Sequence, residues 1–422
     1  MAIKIKAGDA LTGGLDYNTF ISDYLATTET ADYKFYGGTP DSVFGQTYYM
    51  NGSEIAYQYG EESAARVVME GADLAYDWIH YGTTYPHALS GDLDELVFGD
   101  WIDGQTEGEQ GTGEEGAITG LAEMMVIKGL DISVEAGHGA EDNGVMDVYD
   151  MLAAGDTEGL YDFLAQQAQV FVGTDGGDSY TGTAFDDKIV ATLGADTYDG
   201  GDGSDMITFS NFETGVVVDL GAGTGPNGTV LSNIENVVGS SFNDIILGSA
   251  EANSIKGGDG DDRIYGLDGD DWISGANGND IIHAGSGNDS VIGGSGNDDI
   301  TGRLGADVMS GNGGADTFRY YNPTDGVFDT GLAQADRDVI TDFKSGADLL
   351  DFSAMDANQT TEADDAFVFL GTDKFTGEAG ELRYQLNNKV TVVAGDADGD
   401  GKADFKIDLS GKIDLTKLDF VL

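Results

Sequence analysis

A nine-residue period, unbroken from Gly257 to Arg319, constrains this chain more than any other feature. The units read GGDGDDRIY, GLDGDDWIS, GANGNDIIH, AGSGNDSVI, GGSGNDDIT, GRLGADVMS and GNGGADTFR. Position four is glycine throughout. Position six is Asp262, Asp271, Asp280, Asp289, Asp298, Asp307 and Asp316, and position eight is an apolar residue in every unit, from Ile264 to Phe318. Each column has a physical reason. Glycine admits the positive φ of a tight turn. Aspartate ends that turn with a hard oxygen of the kind Ca²⁺ prefers. The last three residues form a short strand whose middle side chain points inward and stacks on the next coil. Two repeats then make one coil of a parallel β-roll, and the aspartates of successive coils face one another. Carboxylates at that range repel, so divalent cations between them are required. Folding and metal binding become one event.

The charge agrees with a need for cations. There are 77 acidic against 19 basic residues, a formal net charge of −58, which opposes compaction until it is neutralised. Such a surface excludes nucleic acid and anionic membranes as partners. Cysteine is absent, so disulfides and thiol catalysis are excluded. No apolar run is long enough to be a transmembrane segment, and the N-terminus, MAIKIKAGDALTGG, lacks the apolar stretch of a secretory signal.

An earlier block, GTDGGDSYT, GTAFDDKIV, ATLGADTYD and GGDGSDMIT, places Asp178, Asp187, Asp196 and Asp205 in the same column. An apolar insert at 209–238 follows. Two degenerate units then carry Asp244 and Asn253. The expected metal ligands are these five aspartates and the seven of the main run. The motif resembles the calcium-binding nonapeptide of RTX (repeats-in-toxin) proteins. Residues 320–422 change to alternating strands with tight turns. Through Asp338, Ile340, Asp342, Phe343, Gly346, Asp348 and Asp351 they resemble the C-terminal domain of serralysin-type secreted proteins. That resemblance implies a type I secretion signal, to which the terminal LDFVL corresponds, and a secreted, extracellular or cell-surface location. Asp396, Asp398, Asp400 and Asp404 have the spacing of an EF-hand start, but Ile407 stands where the bidentate glutamate belongs, so this segment reads as an acidic hairpin.

The first 171 residues lack the period. Helical patterns fit 61–70, 118–128, 143–154 and 157–169, and strand-like runs lie near 33–37, 46–50, 54–59, 73–80 and 93–98. An α+β domain is expected. Four ordered stretches, TFISDYL at 19–25, FYGG at 35–38, the run at 74–100 and GVMDVYDMLAAGDTEGLYDFLA at 144–165, resemble the HasA-type hemophore family. The resemblance implies a curved antiparallel sheet backed by helices that holds haem. Tyr76 falls on the family's tyrosine ligand and His87 on that tyrosine's hydrogen-bonding partner. No histidine precedes His80, so the family's second axial ligand has no counterpart here.

The expected domains are 1–171, hemophore-like; 172–319, calcium-binding roll with its insert; and 320–422, serralysin-like. Neither HExxH nor GxSxG occurs, so no catalytic role is expected. Two functions are compatible with these features. One is a secreted calcium-binding protein that takes up haem and meets a haem receptor. The other is a self-associating surface or matrix protein, forming a calcium-dependent layer or filament, that keeps the hemophore fold without haem.

Overall fold

In the computed structural model, the structure describes residues 2–8, 11, 13–25, 32–36, 40–44, 47–50, 52–58, 65–76, 89–101, 106–107, 117–118, 121–134, 144–321, 328–358 and 365–422. The chain forms two compact units, Met1–Asp205 and Met206–Leu422.

The first unit holds an antiparallel sheet. Its neighbours run, in order, Asp32–Tyr36, Gly52–Gln58, Ala65–Tyr76, Leu89–Trp101, Leu121–Val134 and Ile3–Ala7. The described residues include three α-helices: α1 (Tyr17–Leu25), α2 (Gly144–Ala154) and α3 (Thr157–Leu164). Helix α2 packs on the strands Leu89–Trp101 and Leu121–Val134. Asp156 caps α3 by accepting the Gly159 N–H at 3.0 Å. The last two expected helices are therefore present, while 61–70 and 118–128 are corrected. They fall on the strands Ala65–Tyr76 and Leu121–Val134. Their Ala, Met, Glu and Leu content favours a helix in isolation, but Val67–Val68–Met69 and Met125–Val126–Ile127 are buried on consecutive residues. A strand covered on both faces loses its alternation, and tertiary burial overrides propensity.

The sheet passes directly into roll geometry. Ile3–Ala7 pairs in parallel with Gln169–Val172, and that strand pairs in parallel with Lys188–Val190. Residues 13–18 add a further half-coil. Asp16 bridges Ser179 in parallel, the Ser179 N–H donates to the Leu15 carbonyl at 2.8 Å, and buried Tyr17 lies 5.5 Å from Tyr180. The α/β portion, residues 19–168, is thus inserted between strands that stack on the same coils.

In the second unit the parallel strands Ser254–Asp259 through Val308–Gly313 pair at a spacing of 18 residues, so two repeats do make one coil. Position eight forms the interior: Ile264, Ile282, Ile300 and Phe318 line one sheet and Ile273, Val291 and Met309 the other, all at most 1% exposed. Burying each contributes about 2 kcal/mol. The insert does not leave the roll. Its strands Val217–Asp219 and Asn236–Val238 pair in parallel with Ile245–Leu247 and Met206–Thr208. Beyond the repeats, Glu381–Leu386, Val390–Asp396 and Phe405–Ser410 form an antiparallel meander. Arg319 joins the two parts, at 2.9 Å from Asp299 and 3.0 Å from Asp351. Phe352 gathers Phe367, Phe405 and Phe420 around it.

The turns explain the glycine columns. Position two takes Leu267, Ala276, Arg303 and Asn312 at φ of 62–84°, the left-handed well that L-residues enter at some cost. Position four lies at 115–150° in all seven units, outside that well, and only glycine fits. Replacing Gly278 by alanine should therefore lower stability by about 3 kcal/mol or more, whereas Ala276→Gly should change it by less than about 1 kcal/mol. Denaturant titration of both variants in millimolar calcium checks this.

Candidate metal-binding columns

The aspartates predicted from the period all lie in the turns, and all are buried. In the main run they form two columns, one on each side of the roll. Within a column, each residue's N–H donates to Oδ1 of the aspartate one coil further on: Asp262 to Asp280, Asp280 to Asp298 and Asp298 to Asp316 at 2.9–3.1 Å, and Asp271 to Asp289 and Asp289 to Asp307 at 2.8–2.9 Å. Earlier members obey the same rule. Asp178 donates to Asp196, Asp187 to Asp205 and Asp244 to Asp262.

One oxygen per carboxylate is thereby satisfied and the other is not. Oδ2 of Asp262, Asp271, Asp280, Asp289, Asp298, Asp307 and Asp316 is buried with no hydrogen-bond partner. An unpaired carboxylate oxygen in a buried turn carries a large desolvation penalty, and a hard cation removes it. Position one keeps that oxygen reachable. A Cβ at Gly257, Gly266, Gly275, Gly293, Gly302 or Gly311 would collide with Oδ2 of the aspartate of its own turn. The carboxylate set, its burial and its orphan oxygens therefore fit calcium.

Protons respond to the same environment. Burial, reinforced in all six by neighbouring aspartates, raises Asp262, Asp271, Asp298 and Asp307 from 3.8 to about 7, and Asp280 and Asp289 to about 6.

Two ligand-column residues escaped the period because their spacing is longer. The Asp307 N–H donates to Asp338 Oδ1 at 3.2 Å and the Asp316 N–H to Asp348 Oδ1 at 3.1 Å. Asp338 Oδ2 is also orphaned, and Asp338 is fully buried. Both immediately precede an apolar pair, Val339–Ile340 and Leu349–Leu350, the signal that could have found them. The hairpin after Val390–Asp396 brings oxygens of Asp396, Asp398 and Asp404 within 4.8 Å of one another. Both oxygens of Asp396 already accept backbone N–H groups, from Gly399 and Gly401, at 2.8 Å. Tyr76 closes the strand Ala65–Tyr76 and pairs with Leu89 across the sheet. His87 lies outside the described residues.

Comparison with known families matches this geometry. Residues 172–207 and 238–273 match the RTX calcium-binding nonapeptide repeat, and residues 268–422 match the serralysin C-terminal domain of M10 peptidases. Over these residues the chain is similar to both modules. It carries calcium-binding nonapeptide repeats and a serralysin-type C-terminal domain, both non-catalytic modules, and it is a secreted, extracellular calcium-binding protein. No curated protein matches the sequence. Among solved structures, the apo hemophore HasA of Yersinia pestis is similar at 16% identity over 39% of this chain and 88% of its own, with a TM-score of 0.26. The holo form gives 16%, 38%, 87% and 0.27. The AlgE6R3 subunit of an Azotobacter vinelandii mannuronan C5-epimerase gives 24%, 44%, 80% and 0.18. No helix among the described residues is long and apolar enough to cross a membrane.

The raised carboxyl groups fix a pH dependence for the metal-free protein. A folded pKa above the unfolded value means that the folded state binds more protons, so stability is fully present below about pH 4 and is lost as pH rises through 6–7. In chelator, the roll should be compact at pH 5 and expanded at pH 8. X-ray scattering at the two pH values measures it, and calcium should abolish the difference.

Proposed function

We propose that this chain folds outside the cell on calcium, held by the turn aspartates at positions 178, 187, 196, 205, 244, 262, 271, 280, 289, 298, 307 and 316. Its N-terminal domain is the functional cargo of that scaffold. The observation that carries the calcium assignment is the row of buried, unpartnered Oδ2 atoms, one in each turn of the main run. Apparent affinities on the order of 10⁻⁴ to 10⁻³ M, those of extracellular calcium modules, keep such sites empty in the cytosol. The chain then passes the type I exporter unfolded and folds on reaching millimolar calcium. Chelation of the purified protein should convert residues 257–319 from protected to freely exchanging in hydrogen exchange at pH 8. Equal protection with and without calcium would overturn the assignment.

The cargo function is haem uptake. Tyr76 supplies a phenolate, a hard anionic ligand suited to ferric haem. His87 accepts the phenol proton and holds the ligand in that state. Support comes from the ordered hemophore-like segments and from the register: Tyr76 ends one strand at its pairing with Leu89, and His87 stands two residues before Leu89 in sequence. The binding role involves no catalysis. Adding hemin to the calcium-loaded protein should give a shifted Soret band that Tyr76→Phe abolishes and His87→Ala weakens at neutral pH. An unshifted band in the unsubstituted protein would leave the domain as a protein-binding or structural module.

A further inference from the structure

Two structural kinds of turn are distinguished by how position two meets position six. In the main run, positions two and four both have positive φ, and the aspartate keeps an orphan oxygen. Four earlier turns are closed differently. They are GTDGGD at 173–178, GTAFDD at 182–187, GSSFND at 239–244 and GSAEAN at 248–253, and each has Thr or Ser at position two.

In all four turns the position-two N–H donates to the side chain at position six: Thr174 to Asp178 Oδ2 at 2.8 Å, Thr183 to Asp187 Oδ2 at 2.5 Å, Ser240 to Asp244 Oδ2 at 2.6 Å and Ser249 to Asn253 Oδ1 at 2.7 Å. The hydroxyl of the same residue accepts the N–H of position four: Gly176, Phe185, Phe242 and Glu251 at 3.0–3.1 Å. Position four is not left-handed in these turns, which is why phenylalanine and glutamate are accepted there. The hydroxyl also reaches position six itself, Ser240 Oγ donating to Asp244 Oδ1 at 2.8 Å. The oxygen that main-run turns leave bare is here covered by the protein's own donors.

We infer that the reach of position two to position six decides whether a turn requires calcium: where the position-two N–H donates to the position-six side chain the turn is closed by hydrogen bonds, and where position two takes a positive φ the turn is left to be closed by a cation. Thr192, in the turn 191–196, sends its hydroxyl to Asp178 Oδ2 at 3.2 Å, so a hydroxyl at position two does not by itself close its own turn. Asn253 supports the inference. It is the one neutral residue in the repeat-derived column, and it sits in a hydroxyl-closed turn. Its Oδ1 accepts from Ser249, and its Nδ2 donates to the Glu235 carbonyl at 2.9 Å. The Asn253 oxygen is committed to the N–H and the hydroxyl of Ser249, the protein's own donors.

The consequence reaches the N-terminal domain. Residues 10–18, ALTGGLDYN, read as a disguised repeat with glycine at position four, leucine in the aspartate column and tyrosine at position eight. The structure stacks residues 13–18 accordingly. A Cβ at Gly176 would meet the Gly14 nitrogen at 2.6 Å, as one at Gly260 would meet the Asn243 nitrogen at 2.7 Å. The Leu15 N–H donates to Asp178 Oδ1 at 2.5 Å, and the Thr174 hydroxyl reaches the Gly13 carbonyl at 3.0 Å. On the other side of the roll, the Gln169 N–H donates to Asp187 Oδ1 at 2.5 Å. Both seams of the inserted domain thus rest on hydroxyl-closed turns, and the domain stays docked when calcium is removed.

This inference rests on the calcium reading above and narrows it, because Asp178, Asp187 and Asp244 then become hydrogen-bond acceptors in turns that close without metal. The test uses the full chain and two isosteric variants. Asp244→Asn should leave the calcium stoichiometry and midpoint of a calorimetric titration unchanged, as Asn253 already foreshadows. Asp280→Asn should raise the midpoint on the order of tenfold or remove a site. Hydrogen exchange in chelator should leave α1 and residues 169–190 at least tenfold more protected than residues 257–319. If Asp244→Asn weakens calcium as much as Asp280→Asn, or if α1 and 169–190 lose protection together with the main run, the position-two rule falls while the calcium reading stands. If neither variant affects calcium, the calcium reading itself falls.

Discussion

Everything in the repeat half depends on a conflict between geometry and charge. Parallel coils at strand spacing bring one aspartate per turn over the next. The hydrogen bond from each backbone N–H to the Oδ1 one coil away fixes that placement. It satisfies half of each carboxylate and buries the other half unpaired. Such a stack is not stable as a row of anions at neutral pH. It must take up protons, take up cations, or come apart. A calcium-dependent fold follows from that choice, and so does the fate of the chain's large negative charge. The acids that face inward are matched by metal, and those that face solvent keep the coil soluble.

The surface of the turns carries a second ladder that needs no metal. Asn243, Asp261, Asn279 and Asn297, all at position five, accept through Oδ1 the N–H of the residue one coil further on, at 2.7–3.0 Å. Asp270 and Asn288 repeat the pattern on the opposite side. Asparagine and aspartate serve equally because only the shared oxygen is used. This is why position five takes either residue, and alanine in the last two units, where only the N–H is used, while position six of the main run admits only aspartate.

How far the sequence could be read depended on whether a residue's role was local. Position four must be glycine because of its own φ, and position eight must be apolar because it is interior on every coil. Both are properties of a single repeat and are visible as columns. Asp338 and Asp348 occupy the same ligand column, but their coils are 31 and 32 residues from the preceding member rather than 18, and a fixed period cannot show them. Residues 61–70 and 118–128 read as helices because burial of consecutive residues in the strands they fall on removed the alternation that marks a strand. The half-coil at 13–18 was hidden for a different reason. It contacts residues more than 160 positions away, and leucine fills the column where aspartate carries the signal.

That leucine has a physical logic. A stack of metal turns must end somewhere, and an end that presented another carboxylate would demand another ion with solvent on one side. Leu15 is 1% exposed, so the terminal turn closes the column with an apolar side chain while still donating its N–H to the first aspartate. In the second unit, the last turn of the roll is closed by polar groups. Asp348 Oδ2 accepts the Lys344 N–H at 2.7 Å, in the manner of the hydroxyl-closed turns. Arg319 spans Asp299 and Asp351 beside it, and buried Asp419 ties the C-terminal segment to the adjoining turn through the Gly346 N–H and the Ser345 hydroxyl. These turns are thus finished with the protein's own groups. The orphan oxygens of the main run, from Asp262 to Asp316, come before that closure in the chain.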